Sequence, residues 1–134
     1  MSRKMQSINK KIVSVTSNGR GESAFSVRSI ELEGSSNWSL SAQQAALNFR
    51  LRSSLAPYQS DWHVAGDPTL LIILNGVIEI ELRDGTAREF SAGDLFVAED
   101  YLIDGMLFDY RHGHRARIIG QAELQAVHIK LEKR

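Results

Sequence analysis

The chain has 134 residues, no cysteine, and 16 basic and 16 acidic side chains, so its formal net charge is zero. This length predicts a single domain, 1–134, that can bury a core without disulfides. The balanced charge gives no electrostatic reason to expect nucleic acid or an anionic membrane as a partner. The lack of cysteine excludes disulfides, thiolate catalysis and cysteine-based zinc sites, and it fits a cytoplasmic location.

The first ten residues are predicted to form a flexible tail. The N-terminal stretch MSRKMQSINKKIVSVTSNGR carries five basic side chains and no acidic one, and it lacks an apolar run long enough for a signal peptide. The longest apolar run, within LLIILNGVIEIEL, is too short and too charged to cross a bilayer. We therefore expect a soluble protein with no membrane partner.

The N-terminal half alternates apolar and polar residues with a period of two, which predicts β-strands. KIVSVTS, AFSVRSIELEG and LNFRLRSSL follow this pattern in turn. The third segment sets leucine and phenylalanine on one face, and Arg50 and Arg52 on the other. Only the segment SAQQAAL, around residues 41–47, favours a helical turn.

The C-terminal half reads as short strands separated by turns. VIEIEL, DLFVAED, HRARIIG and LQAVHIKLE are the predicted strands. Asp84-Gly85 predicts a hairpin with a type I′ turn, Asn75-Gly76 is a second such pair, and Ala92-Gly93-Asp94 marks a third turn. Many short strands at close spacing predict an all-β sandwich or closed barrel.

The residues from 61 to 120 resemble a single-domain cupin. The first cupin motif has the pattern G-x5-H-x-H-x3,4-E-x6-G, in which Gly76 fits the closing glycine and His63 the first histidine. The second motif has the pattern G-x5-P-x-G-x2-H-x3-N, in which Gly93-Asp94 fits the opening and His114 the histidine. The stretch 101–112 before that histidine looks like an insertion.

This resemblance implies a cupin-type antiparallel jelly-roll β-barrel with a core at about 45–132. It also implies a small-molecule ligand inside the barrel and a homodimer. If the protein is an enzyme, dioxygenation or isomerisation are the reactions implied. The metal motif is incomplete, because Thr69 stands at the glutamate position, Ala65 or Val64 at the second histidine, and Glu99 at the proline. Only His63 and His114 remain of the four usual ligands.

Strand alternation predicts that both histidines point inward. Asp61, His63 and Ala65 share one face, and His114 shares a face with Ala116. Two inward imidazoles could bind one divalent transition metal, such as iron, zinc, nickel or manganese, if a carboxylate completed the site. The candidate carboxylates are Asp61, Asp67, Glu99 and Asp100, and His112 is a further candidate ligand.

Three interpretations of the histidines stay open: a metal site, a metal-free pocket for a small molecule, and histidines without any ligand. The residues predicted to contact a ligand are His63, His114, Asp61, Thr69 and Glu99. Asp61 could instead fix the imidazole tautomer of its neighbour. Whether the protein is an enzyme, a sensing module without catalysis or a structural interaction protein is left open by the residues.

The apolar segment 101–113 has no clean periodicity, and a connection of this length favours a packed or functional loop. It could be a lid, a subunit interface or a segment packed on its own barrel. Trp62 is expected on the outer face or at a subunit contact, and His128 is expected to be structural. Arg111, Arg115 and Arg117 predict a solvated face, with an acidic ligand as the alternative.

Overall fold

The computed structural model describes residues 6–133, and ten strands and no helix lie among them. Within this range, no helix long and apolar enough to span a bilayer is found. The strands are β1 Gln6–Ser17, β2 Ser23–Ser35, β3 Trp38–Ser41, β4 Ala46–Ser54, β5 Thr69–Asn75, β6 Val77–Leu82, β7 Ala87–Ser91, β8 Leu95–Ala98, β9 His114–Ile119 and β10 Leu124–Leu131.

The strands form two sheets. The larger has seven strands in the order β3-β2-β1-β8-β5-β10-β4, and the smaller has three in the order β7-β6-β9. All neighbouring pairs are antiparallel except β1 and β8, which run parallel. The predicted all-β, antiparallel fold is confirmed. Within the described range, however, the strand pairings give two sheets in place of one closed ring, and one pair departs from the antiparallel rule.

The apolar core brings together inward residues of both sheets. Along β6 the side chains alternate between half-buried and buried, with Ile78, Ile80 and Leu82 inside, as the period of VIEIEL predicts. From the larger sheet, Ile73 and Phe96 join them. Each such apolar side chain stabilises the fold by about 1.5–3 kcal/mol when fully buried. The two sheets are therefore held together by one shared core.

The β6–β7 hairpin is confirmed, but its turn differs from the predicted type. Of the two turn residues, only Gly85 has a positive φ, of +89°. Asp84 does not, so the turn is not of type I′, which needs a positive φ at both positions. The N–H of Gly85 donates to the carbonyl of Leu82, and the N–H of Leu82 donates to the carbonyl of Thr86. This is a longer loop with its glycine in the left-handed region.

Three local predictions are corrected. Asn75-Gly76 links β5 of the larger sheet to β6 of the smaller one, so it is a crossing between sheets and not a hairpin. Gly76 is needed there, because a Cβ would lie 2.6 Å from the carbonyl oxygen of Glu123. SAQQAAL forms no helix and leads into β4. Residues 6–10 of the predicted tail belong to β1, while residues 1–5 lie outside the described range.

Candidate functional site

The two predicted histidines lie side by side. Segment 59–63 runs antiparallel to β9, and the backbones of His63 and His114 exchange hydrogen bonds of 2.9 and 2.8 Å. Their ring centroids are 4.5 Å apart, at an interplanar angle of 57°. Gly113 permits this approach, since a Cβ there would lie 2.7 Å from the carbonyl oxygen of His63. The pair is thus fixed by backbone pairing.

Both histidines line a cavity of about 230 Å³ between the two sheets. This volume is below the range of about 300–1,000 Å³ typical of drug-sized ligands, so the cavity suits a small molecule. Its apolar lining comes from Val64, Ala65, Leu71, Ile78, Ile80, Phe96, Ala98 and Ala116. Its polar lining comes from Arg52, His63, Thr69, His114 and His128.

The imidazole of His114 is held by a buried carboxylate. Asp100 is fully buried and accepts hydrogen bonds from the Ser23 hydroxyl at 2.6 Å, the Ala65 N–H at 2.9 Å and His114 Nδ1 at 2.7 Å. An ionised carboxylate only accepts, so Nδ1 of His114 carries a proton. Nε2 is then the ring nitrogen left for a ligand. Asp100, considered above as a metal ligand, instead orients this histidine.

His63 is oriented in a similar way, by the main chain. Its Nδ1 lies 2.8 Å from the carbonyl oxygen of Asp61, which can only accept, so this nitrogen also carries a proton. The carboxylate of Asp61 does not line the cavity. The expectation that Asp61 fixes the tautomer therefore holds for its carbonyl group and not for its side chain.

Glu99 is not at the cavity. It accepts two hydrogen bonds of 2.9 Å from the guanidinium of Arg28, on β2, and one from the hydroxyl of Ser14, on β1. Of the five residues predicted to contact a ligand, the structure brings three together at the cavity and places Asp61 and Glu99 elsewhere. The alternation of side chains along a strand could not predict the position of Glu99, because this residue lies just beyond the end of β8.

The donor set does not fit a metal site with three protein ligands. Among residues 6–133, no group of three histidine, cysteine or acidic side chains could hold a metal ion. Asp67 faces Lys130 and Lys133 at 3.7 and 3.4 Å. Nδ1 of His112 accepts from the N–H of Asp109 at 3.0 Å. In the described part of the chain, Nε2 of His63 and Nε2 of His114 therefore have no third histidine, cysteine or acidic side chain placed to complete a metal site with them.

Two polar residues of the cavity, Arg52 and His128, were not predicted from the sequence to contact a ligand. His128 lies on β10, paired with Leu71 of β5 and Arg50 of β4, and its Nε2 is buried without a hydrogen-bond partner. Burial lowers the pKa of His128, and the charges of Arg52 and Arg50 lower it further. Burial also lowers the pKa of Arg52. The sequence did offer one indication of where His128 lies. His128 is two positions from Ala126 on β10, so the two side chains share a face of the strand, and Ala126 is buried in the core.

Trp62 packs on the outer side of the smaller sheet. The guanidinium groups of Arg83 and Arg115 lie 4.1 and 4.6 Å from its ring centroids. Arg83 also donates to the main-chain carbonyl of His112 at 2.9 Å, which ties the loop 101–113 to this stack. Arg115 pairs with Glu81 across the strands. The arginines at this face thus have protein partners, which favours the solvated face over an acidic ligand.

The chain matches no protein-family model and no curated protein. Among solved structures it is similar to protein NMB1881 from Neisseria meningitidis, with 18% identity and a TM-score of 0.45 over 68% of this chain and 84% of that one. It is also similar to the Cnp3 cupin domain of Schizosaccharomyces pombe, with 18% identity and a TM-score of 0.42 over 92% and 87%.

Proposed function

We propose that this protein binds a small molecule in the cavity between its two sheets, with His63 and His114 as polar contacts. The observation that carries the proposal is the orientation of this pair. Each ring has its Nδ1 engaged, one by Asp100 and one by a main-chain carbonyl, which leaves Nε2 of each ring for a ligand. Side chains that are fixed in advance lose little entropy on binding.

The lining favours a ligand with a compact apolar body. Apolar walls with a few convergent polar groups are typical of small-molecule sites. Nε2 of a neutral imidazole whose proton is on Nδ1 is an acceptor, so a hydroxyl or amine of the ligand would donate to it. We assign binding to this site and no reaction.

The test is chemical-shift mapping with benzamide, a neutral probe, on the wild type and on two alanine-to-leucine variants. Ala65 lines the cavity, and the added leucine atoms would fill it. Ala87 is exposed on β7 and takes the same substitution as a matched control. We expect shifts around His63 and His114 and at least roughly tenfold weaker binding in Ala65→Leu. Equal affinity in all three proteins, or shifts away from the cavity, contradicts the proposal.

The metal site predicted from the sequence remains a second candidate, favoured by one contact. A carboxylate bonded to the far nitrogen of an imidazole is the arrangement that supports metal-binding histidines, and Asp100 makes this contact with His114. Elemental analysis of untagged wild type and of the His63→Ala/His114→Ala double variant decides between the candidates. Near-stoichiometric iron, zinc, nickel or manganese that is lost in the variant would replace the metal-free proposal.

A further inference from the structure

Beside the cavity lies a basic cluster formed by Arg50, Arg52 and His128. We propose that this cluster is an anion subsite, which holds the carboxylate or phosphate group of a ligand whose apolar body occupies the cavity. The inference rests on the proposed function, since it names the chemical class of the ligand bound there. It adds two residues, Arg52 and His128, to the contacts expected from the histidine pair.

The register of β4 and β10 builds the cluster. Arg50 pairs with His128, and Arg52 pairs with Ala126. Residues paired across antiparallel strands point to the same face of the sheet. Ala126 belongs to the buried core, so Arg52 and His128 also face inward. Arg52 and His128 line both the 230 Å³ cavity and an adjacent depression of about 460 Å³, at whose edge Arg50 lies.

The cluster contains cations without a carboxylate partner. Among residues 6–133, the salt bridges include neither Arg50 nor Arg52. Arg52 is half-buried, and its described contacts are a 3.1 Å hydrogen bond to the Ser54 hydroxyl and a position 5.3 Å from the ring centroid of Tyr58. A desolvated cation without a counter-charge is costly, and an anion would relieve that cost.

His128 gives the second, independent observation. Its Nε2 is buried and has no hydrogen-bond partner among the described residues. Buried polar atoms of native proteins almost always have a partner, and leaving one without costs free energy. An oxygen of a bound carboxylate or phosphate would accept from Nε2–H, while the guanidinium of Arg52 would offer its parallel N–H groups to the same anion.

Titration with three probes of one shape tests the subsite. Benzoate and phenyl phosphate carry the two anionic groups, and benzamide is the neutral counterpart of benzoate. We expect benzoate to bind at least roughly tenfold more tightly than benzamide, which corresponds to about 1.4 kcal/mol. Arg52→Met and His128→Gln should each weaken benzoate about tenfold and, because both side chains also line the cavity, weaken benzamide by a clearly smaller factor. Tighter binding of phenyl phosphate than of benzoate would assign the anion as a phosphate, and the reverse as a carboxylate.

Arg117→Met is the matched control, because Arg117 is exposed on β9 and its partner is Glu79. It removes the same charge at a position away from the cavity, so benzoate affinity should not change. Equal affinity for benzoate and benzamide overturns the subsite and leaves the proposed function standing. Equal losses in Arg117→Met and Arg52→Met also overturn it, since the attraction would then be non-specific. Failure of all three probes to bind overturns both proposals. If Arg52→Met does not fold, His128→Gln and Arg50→Met carry the test.

Discussion

At the scale of single residues, Asp100 is the side chain whose role at the site is best defined. It is fully buried, and its two oxygens accept from Ser23, Ala65 and His114. In Asp100→Asn an amide N–H₂ group would replace one oxygen and face at least one of these donors. We expect a loss of about 2–3 kcal/mol in the free energy of unfolding, measured by urea denaturation.

Asp104→Asn is the control for that loss. Asp104 is exposed in the loop, so the same substitution there should change stability by less than about 0.5 kcal/mol. The ring of His114 should also become mobile in Asp100→Asn alone, which NMR relaxation of the imidazole would detect. Equal stability of the two variants would show that the buried hydrogen bonds do not hold the site together.

His128 makes the second residue-scale prediction, a dependence of stability on pH. Burial and then Arg52 and Arg50 lower its pKa from the ordinary 6.5. The unfolded chain therefore binds this proton at higher pH than the folded chain does. Protonation of His128 therefore opposes folding. The free energy of unfolding is highest above the unfolded pKa, and it falls as the pH is lowered from about 7.5 to about 5.5.

Comparison with His128→Gln isolates this effect. All other titratable side chains are the same in the two proteins, so the difference between the proteins reports on His128. We expect the wild type to lose more stability on acidification than the variant in urea denaturation at the two pH values. An equal loss in both proteins would mean that burial and the two arginines do not depress the protonation of His128.

The sequence predicted some of these residues for a clear physical reason. His63 and His114 could be found because strand parity and apolar neighbours placed both on the side of the cavity that they line; His114 is buried there, whereas His63 lines the cavity but stays exposed. The role of Asp100 could not be found, since it depends on three contacts from distant parts of the chain. Glu99 was misplaced because its partner, Arg28, lies 71 positions away and draws the carboxylate from the cavity.

At the scale of secondary structure elements, β4 shows the limit of pattern alone. Its alternation was predicted, and the strand is present. Hydrophobicity favours its apolar face as the buried one, yet Leu47, Phe49 and Leu51 are 57, 70 and 75% exposed. The pairing with β10 decides the orientation, because Leu51 pairs with Val127 and Arg52 with the buried Ala126. An alternation with a period of two assigns the residues of a strand to its two faces. Only the pairing with the neighbouring strand shows which of these faces is buried.

The loop 101–113 gives the element-scale prediction. Two guanidinium groups lie over the ring of Trp62, and one of them, that of Arg83, donates a hydrogen bond to the loop at His112. In Trp62→Ala the guanidinium of Arg83 loses its contact with the ring, which should lower the free energy of unfolding by about 1 kcal/mol. The loop that Arg83 holds should then open locally. We expect faster amide hydrogen exchange at residues 109–113 and unchanged exchange in β5 and β6.

Trp38→Ala is the matched control for the loop. Trp38 is 69% exposed on β3, so the same substitution there should leave exchange in the loop unchanged. If Trp62→Ala accelerates exchange and also changes the affinity for benzamide, the loop acts as a lid. Unchanged exchange at 109–113 would show that the arginine stack does not hold the loop.

At the scale of the whole molecule, the outer face of the larger sheet is left uncovered along β4. The homodimer predicted from the cupin resemblance is untested, and this face is its best candidate interface. The whole outer face of this sheet, with seven strands about 4.8 Å apart and on average about 27 Å long, measures roughly 900 Å². A stable interface takes about 800 Å² from each partner. The net charge of zero means that two copies do not repel each other.

Sedimentation velocity on two charge variants tests this interface against the loop. Phe49→Glu places a carboxylate in the middle of the exposed apolar row of β4, and burying it against a second copy would be costly. Leu107→Glu places the same charge on the loop, where the side chain is 85% exposed. We expect a dimeric wild type, a monomeric Phe49→Glu protein and a dimeric Leu107→Glu protein. The opposite result for the two variants would assign the interface to the loop, and a monomeric wild type would contradict the homodimer itself.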